Sequence, residues 1–237
     1  CGVRMRPGNY PRRIFSRGIQ PHVYAIVESN GLDSSSVDYF TNNDPKLKKD
    51  FGTLMDEMRD AKEYGSILNI SQVDFTSLYD RVDEVRADIS MFREIVLSSI
   101  LPLIQVAEIM AQKYGVVVTN PPYMAVSNAG AKVNDYVKKY FPDSKSDMFA
   151  VFIERCGQMT KKDGYQAMIT QHAWMFLSSF EKLRTKLLAV DIISMAHLGA
   201  RAFEEIGGEV VQTTTFVIQK SSVKKYAGSY FRLIAPV

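Results

Sequence analysis

The sequence is poor in the residues that build metal centres and covalent staples. It has two cysteines, Cys1 and Cys156, and three histidines, His22, His172 and His197. No Cys/His pair has zinc-site spacing, so no metal is expected, and two cysteines cannot make a disulfide framework. A reducing, cytoplasmic setting is the default expectation. Fourteen glycines include no Gly-x-Gly pair, which excludes the usual glycine-rich turn that cradles a nucleotide. Repeats and low-complexity tracts are absent. The net charge of +3 is mild; it permits a nucleic-acid partner without arguing for one. The longest apolar region, residues 95–110, contains Pro102, Gln105 and Glu108. It reads as too short and too polar to span a bilayer, so a buried amphipathic helix and no membrane partner are expected. The chain opens at Cys1 without Met and reads as a piece of something longer.

What is present fits one large α/β unit of 237 residues, or one with a sizeable insertion. Residues 1–20 are basic, with Arg4, Arg6, Arg12, Arg13 and Arg17 and no acidic residue; they read as a solvated arm or a phosphate-contacting one. The alternation of 22–29 predicts a strand closed by Asn30-Gly31. Residues 32–113 are polar and mostly helical in pattern. Helical spacing begins at Asp44-Pro45, 66–75 could form a short strand, and 91–113 reads as a helix that Pro102 could break. From residue 114 the rhythm is strand, loop, helix, strand. Residues 116–119 form a fully apolar strand of the kind buried on both faces. Residues 147–164 read as a helix with Lys161 and Lys162 in its last turn and Gly164 stopping it. Strands at 165–171, 192–198 and 210–220 and a helix at 179–190 complete a doubly wound sheet. Ligands bind such sheets at the carboxyl ends of the strands. Asn120, His172 and Phe203 all fall just past predicted strands on that edge.

The segment "GVVVTNPPYM" (115–124) carries chemistry. The lone pair of an exocyclic nucleobase amine is delocalised into the ring, which makes it a poor nucleophile. Two acceptors aimed at its N–H groups favour a more tetrahedral, localised nitrogen. The Asn120 side chain can supply one acceptor and the Pro121 carbonyl the other. Prolines hold their carbonyls stiffly and bring no competing N–H. Tyr123 can stack on a flat ring, which helps offset the cost of unstacking a flipped base.

These residues resemble the catalytic motif of amino-methyltransferases acting on DNA, of the adenine-N6 type. Residues 146–176 are similar to the helix and strand that follow in that family, and 198–220 resemble its later aromatic-bearing loop and closing strand. With "KEYGSI" (62–67) and "RRIF" (12–15), the resemblance is to the adenine-specific methyltransferases of BREX phage-defence systems, within the wider restriction-modification group. It implies a Rossmann-like class I methyltransferase sheet with a mostly helical insertion. Residues 1–31 would end the N-terminal half of the core, 32–113 would be the insertion, and 114–237 the C-terminal half. Asn120 and the Pro121 carbonyl would receive an adenine amine, Pro122 would shape the loop and Tyr123 would stack on the flipped base. Phe203 would be a second aromatic against that base, and His172 could line the pocket. Ser29 and Asn30 would lie near the adenine of the cofactor, S-adenosyl-L-methionine. Double-stranded DNA is the implied partner, with other defence-system proteins possible.

The family's Asp-Pro-x-Cys-Gly-Ser-Gly type cofactor loop is missing. The expectation is therefore an incomplete sheet that lacks its N-terminal strands. Such a fragment would bind S-adenosylmethionine weakly or not at all, be inactive alone, and tend to self-associate through an exposed sheet edge. Two other readings stay open: a non-catalytic nucleic-acid-binding or scaffold module of a defence complex, and a methyltransferase acting on another planar amine, such as cytosine N4, RNA or protein glutamine.

Overall fold

The computed structural model describes residues 21–199 and 211–234. Its first part is helical. Helix α1 spans Ser34–Thr41 and is capped by the Asp33 carboxylate, which accepts from the Ser36 N–H. Helix α2, Pro45–Glu57, starts with proline at its first position, and the Asp44 side chain accepts from Lys46 and Leu47. A single turn at Ala61–Tyr64 leads to α3, Phe75–Ala87, capped by Asp74. A longer helix, α4, covers Arg93–Ala111. Its stretch Val96–Ile100 is π-wound directly before Pro102, a local rewinding that lets the helix pass a residue with no N–H to give. The break that Pro102 could have made is absent.

Helix α4 has 19 residues, and an 18-residue stretch of it has a mean hydropathy of 1.6. By length and composition it could cross a membrane, contrary to the expectation above. In this fold its apolar face, with Val96, Ile100, Leu103, Ile104 and Ala107, packs into one core with Phe40, Phe51, Leu54 and Leu78.

The second part is built on a five-stranded sheet with β1 Tyr114–Thr119, β2 Thr160–Gln171, β3 Asp191–Gly199, β4 Thr213–Gln219 and β5 Ser229–Arg232. The spatial order is β1-β2-β4-β3-β5. Strands β1 and β2 are parallel, β4 runs antiparallel between β2 and β3, and β5 is parallel to β3. Helix α5 covers Ala131–Tyr140, α6 covers Met148–Met159 and α7 covers Glu181–Leu187. The expected α/β class is present.

Helix α6 sits at the centre. Phe149, Ala150, Ile153 and Cys156 meet the sheet through Met168, Phe216 and Ile218, with Leu183 and Leu187 of α7 alongside. Met148 and Val151 face the other way, toward Val133 and Val137 of α5 and Ile67.

Four readings of the sequence change. Residues 22–29 are not a strand: Val23 is 84% exposed, and Ser29 instead donates its N–H to the Met58 carbonyl. Residues 66–75 form no strand either, because side chains take their N–H groups. Asn69 donates to the Tyr136 hydroxyl and Ser71 to the Glu57 carboxylate. Helix α6 ends at Met159, so Lys161, Lys162 and Gly164 belong to β2. A Cβ on Gly164 would meet the Gly115 carbonyl oxygen at 2.8 Å. The glycine serves the close approach of β1 to β2, where their register shifts. Finally, β1 is not buried on both faces. Val117 packs beneath α6, whereas Val116 and Val118 are 59% and 70% exposed, because α6 and α7 cover the same face of the sheet.

Candidate active site

Parallel pairing of β1 with β2 brings their carboxyl ends to one edge. Asn120 is the first residue beyond β1 and is exposed; His172 is the first beyond β2. Pro121 is buried and Pro122 exposed. Tyr123 is half-buried. Its ring stands edge-on to Phe149, with centroids 6.4 Å apart and planes at 87°, a favoured aromatic geometry. The tyrosine hydroxyl is buried and has no hydrogen-bond partner among the described residues. That dry setting pushes its pKa from 10.0 up to about 12.

The loop is fastened to the start of α6. The Met124 N–H donates to Oδ1 of Asp147 at 3.2 Å. The same oxygen accepts the Phe149 N–H at 3.1 Å and so caps the helix. Met148 donates its N–H to the Met124 carbonyl at 2.9 Å, and Val126 donates to the Ser146 carbonyl at 3.3 Å. Burial raises the carboxyl pKa of Asp147, while the backbone donors act in the opposite direction. The reading of the sequence passed over Asp147. The signal that could have found it is an Asp standing immediately before an amphipathic helix.

His172 donates its backbone N–H to the Gln212 carbonyl. Its ring Nδ1 lies 3.0 Å from Nε2 of His197, with the two rings nearly parallel at a centroid distance of 5.1 Å. One imidazole donates and the other accepts, so at least one is neutral. Burial, and then the neighbouring His197, hold the His172 pKa below its ordinary value. Phe176 stands edge-on to His172 at 5.3 Å and is exposed. His197 pairs with Thr214 of β4, so the two imidazoles bridge the first residues of that strand. Sequence reasoning missed His197 because it is brought to His172 only by the insertion of β4 between β2 and β3. Trp174 is core: buried, with its N–H on the Thr170 hydroxyl.

The other candidates fare differently. Ser29 is buried and donates its hydroxyl to the Met55 carbonyl. Asn30 exchanges two hydrogen bonds with Asp60, both 2.8 Å, and Asp60 is also paired with Lys132 at 3.1 Å. Both side chains are occupied in joining residues 29–30 to the helical part, so the cofactor contact expected of them gains no support. Phe203 lies outside the described residues. A groove of about 800 Å³ lies away from this edge, between the helical part and α5, lined by Tyr64, Asn69, Tyr136 and Lys139 among others. Its rim mixes both charges.

A family model, the Eco57I restriction-modification methylase, matches residues 32–203. The chain is 39% identical over 229 residues to the adenine-specific methyltransferase PglX of Lacticaseibacillus casei (strain Zhang). It is 36% identical over 249 residues to the adenine-specific methyltransferase BrxX of Escherichia coli O9:H4 (strain HS). Each alignment covers 94% of this chain but 19% and 21% of the relative, so the chain spans about one fifth of the curated relatives it matches. Among solved structures, similarity extends to a DrdV–DNA complex, at 18% identity and a TM-score of 0.40 over 55% of this chain and 16% of that one. It extends also to the M protein of the type I restriction enzyme EcoKI, at 16% identity and a TM-score of 0.32 over 47% and 22%.

Proposed function

The chain belongs to the Eco57I restriction-modification methylase family, and from that premise we propose that it forms the base-receiving part of a DNA adenine-N6 methyltransferase of a phage-defence system, acting inside the cell. The observation that carries this reading is the Asn-Pro-Pro-Tyr loop itself. It leaves the carboxyl end of β1 with Asn120 exposed and its backbone tied down behind it on α6.

The Asn120 amide oxygen and the Pro121 carbonyl accept the two N–H groups of an adenine amine, which draws the nitrogen lone pair out of conjugation. The loop that carries both acceptors is tied to α6 before the base arrives, which limits the reorganisation needed when the nitrogen reacts. The ring of Tyr123, braced by Phe149, offers a stacking surface. Its hydroxyl stays protonated at neutral pH.

S-adenosylmethionine is the methyl donor that family membership implies. The described residues do not fit it as a complete cradle: Ser29 and Asn30 are committed to Met55 and Asp60, and the sequence has no Gly-x-Gly turn. What these residues contribute is the amine's side of the reaction.

The test is the identity of the methylated atom. The intact gene product is incubated with unmodified DNA and S-adenosylmethionine, and nucleosides are resolved by mass spectrometry. N6-methyladenine is expected. N4-methylcytosine instead, or DNA binding with no methylated base, overturns the proposal.

A further inference from the structure

We propose that Asp147 is the positioning residue of the Asn-Pro-Pro-Tyr loop, holding the first turn of α6 and the backbone of Met124 on one carboxylate oxygen. The inference rests on the reading of that loop as the amine-receiving site.

Pro121 and Pro122 cannot donate hydrogen bonds, so the loop's anchorage falls on the residues after Tyr123. Three bonds supply it: Met124 N–H to Asp147, Met148 N–H to the Met124 carbonyl, and Val126 N–H to the Ser146 carbonyl. All three end on residues 146–148, and Ala125 forms an isolated bridge with Asp147. Asp147 alone among these joins the loop through a side chain. No cation pairs with it among the described residues; its half-buried charge is met by backbone N–H groups at a helix N-terminus, where the peptide dipoles favour an anion. The carboxylate therefore couples two elements: a helix wedged into the core, and a loop that must hold two acceptors in place. A misplacement of about 1 Å in such a site can cost roughly 100-fold in rate.

Three substitutions in the intact gene product separate cap from clamp. Asp147→Asn keeps an Oδ1 acceptor for both bonds. Asp147→Ser keeps an N-cap oxygen but is one atom too short to reach Met124 as well. Met124→Pro deletes the donor and leaves the cap untouched. Amide exchange of residues 120–126, followed by mass spectrometry without DNA, reads the clamp directly. Single- and multiple-turnover methylation read its consequence.

Asp147→Asn should stay within about 3-fold of wild type in both. Asp147→Ser should melt like wild type, exchange roughly 10-fold faster over the loop, and lose roughly 10- to 100-fold in kcat with KM for DNA unchanged. Met124→Pro should lose kcat by the same factor. Wild-type exchange in Asp147→Ser overturns the clamp, and raised exchange with wild-type kcat in both variants overturns the positioning role. Wild-type protein that methylates no adenine overturns the functional reading instead, and the exchange measurement still decides the clamp.

Discussion

The two ends of α6 are stabilised by the same physics and built in opposite ways. At the N-terminal end an anion adjacent in the chain, Asp147, accepts the Phe149 N–H and reaches the Asn-Pro-Pro-Tyr loop. At the C-terminal end two cations from far along the chain donate to the free carbonyls. Lys113 meets the Gln158 carbonyl at 2.7 Å, and Lys220 meets those of Gly157 and Thr160 at 2.8 and 2.9 Å. Both suit the helix dipole, and both satisfy backbone groups that a helix leaves unpaired. The first is local and serves the site. The second closes β1, β4 and α6 into one unit at the opposite edge of the sheet. The end of α6 facing the Asn-Pro-Pro-Tyr loop thus carries its own cap, while the opposite end borrows one.

Between the two ends lies Arg155, 2% exposed, which should give the largest effect of any single substitution. Its guanidinium donates to the Ser66 carbonyl, the Asn69 side chain and the Met110 carbonyl, at 3.3, 2.9 and 3.1 Å. It links α6 to the helical part through three polar contacts. Burial lowers its pKa, yet a guanidinium stays charged. Arg155→Ala should cost about 3–5 kcal/mol in denaturant unfolding, since it opens a cavity and strands three acceptors. Arg155→Lys should not restore it, because one ammonium cannot span the fork. A loss under about 1 kcal/mol would show that this fork contributes little to joining the two parts.

The ends of the helix rank next. Asp147→Ala should cost about 1–2 kcal/mol as a lost N-cap. Lys220→Ala should cost less, about 1 kcal/mol, because Lys220 is more exposed and Lys113 remains. The reverse order in thermal melts would break the contrast between a cap that is owned and one that is borrowed.

Tyr123 sharpens the comparison at the loop. Its buried hydroxyl has no partner, so Tyr123→Phe should leave stability within about 1 kcal/mol of wild type or raise it. The pH dependence has a definite sign. The folded pKa of about 12 lies above the ordinary 10.0, so between those values the unfolded chain binds fewer protons than the folded one, and stability falls as pH rises. Unfolding free energies compared across that window should show a shallower decline in Tyr123→Phe. An identical decline would place the hydroxyl in water.

The smallest effect concerns Cys156, whose thiol is buried against the sheet and pushed up to about 11. Under native conditions it should resist thiol reagents near neutral pH and react only on unfolding. Fast native labelling would mean that α6 opens without global unfolding.

Much of this was legible in the sequence, for identifiable reasons. Val116–Thr119, the helix beginning at Met148 and the strands of β2, β3 and β4 are written as local apolar patterns, and the Asn-Pro-Pro-Tyr loop as local chemistry. What escaped depends on sheet order. The His172–His197 contact exists because β4 enters between β2 and β3, and the Lys113 and Lys220 caps lie 45 and 63 residues from the carbonyls they serve. Lys161 and Lys162 had the right charge and sequence position for that end, but Thr160 turns the chain into a strand before they can act. Residues 22–29 and 66–75 look like strands in composition, yet their neighbours are helices and side chains, so no ladder forms.

The central claim is that Asn120 engages the amine in the reacting complex. The most direct measurement is the single-turnover rate of adenine methylation by the intact gene product, wild type against Asn120→Ala, at saturating DNA. The account predicts a fall of roughly 100-fold or more, with DNA affinity changed by less than about 3-fold. An Asn120→Ala protein that methylates adenine at the wild-type rate would contradict it.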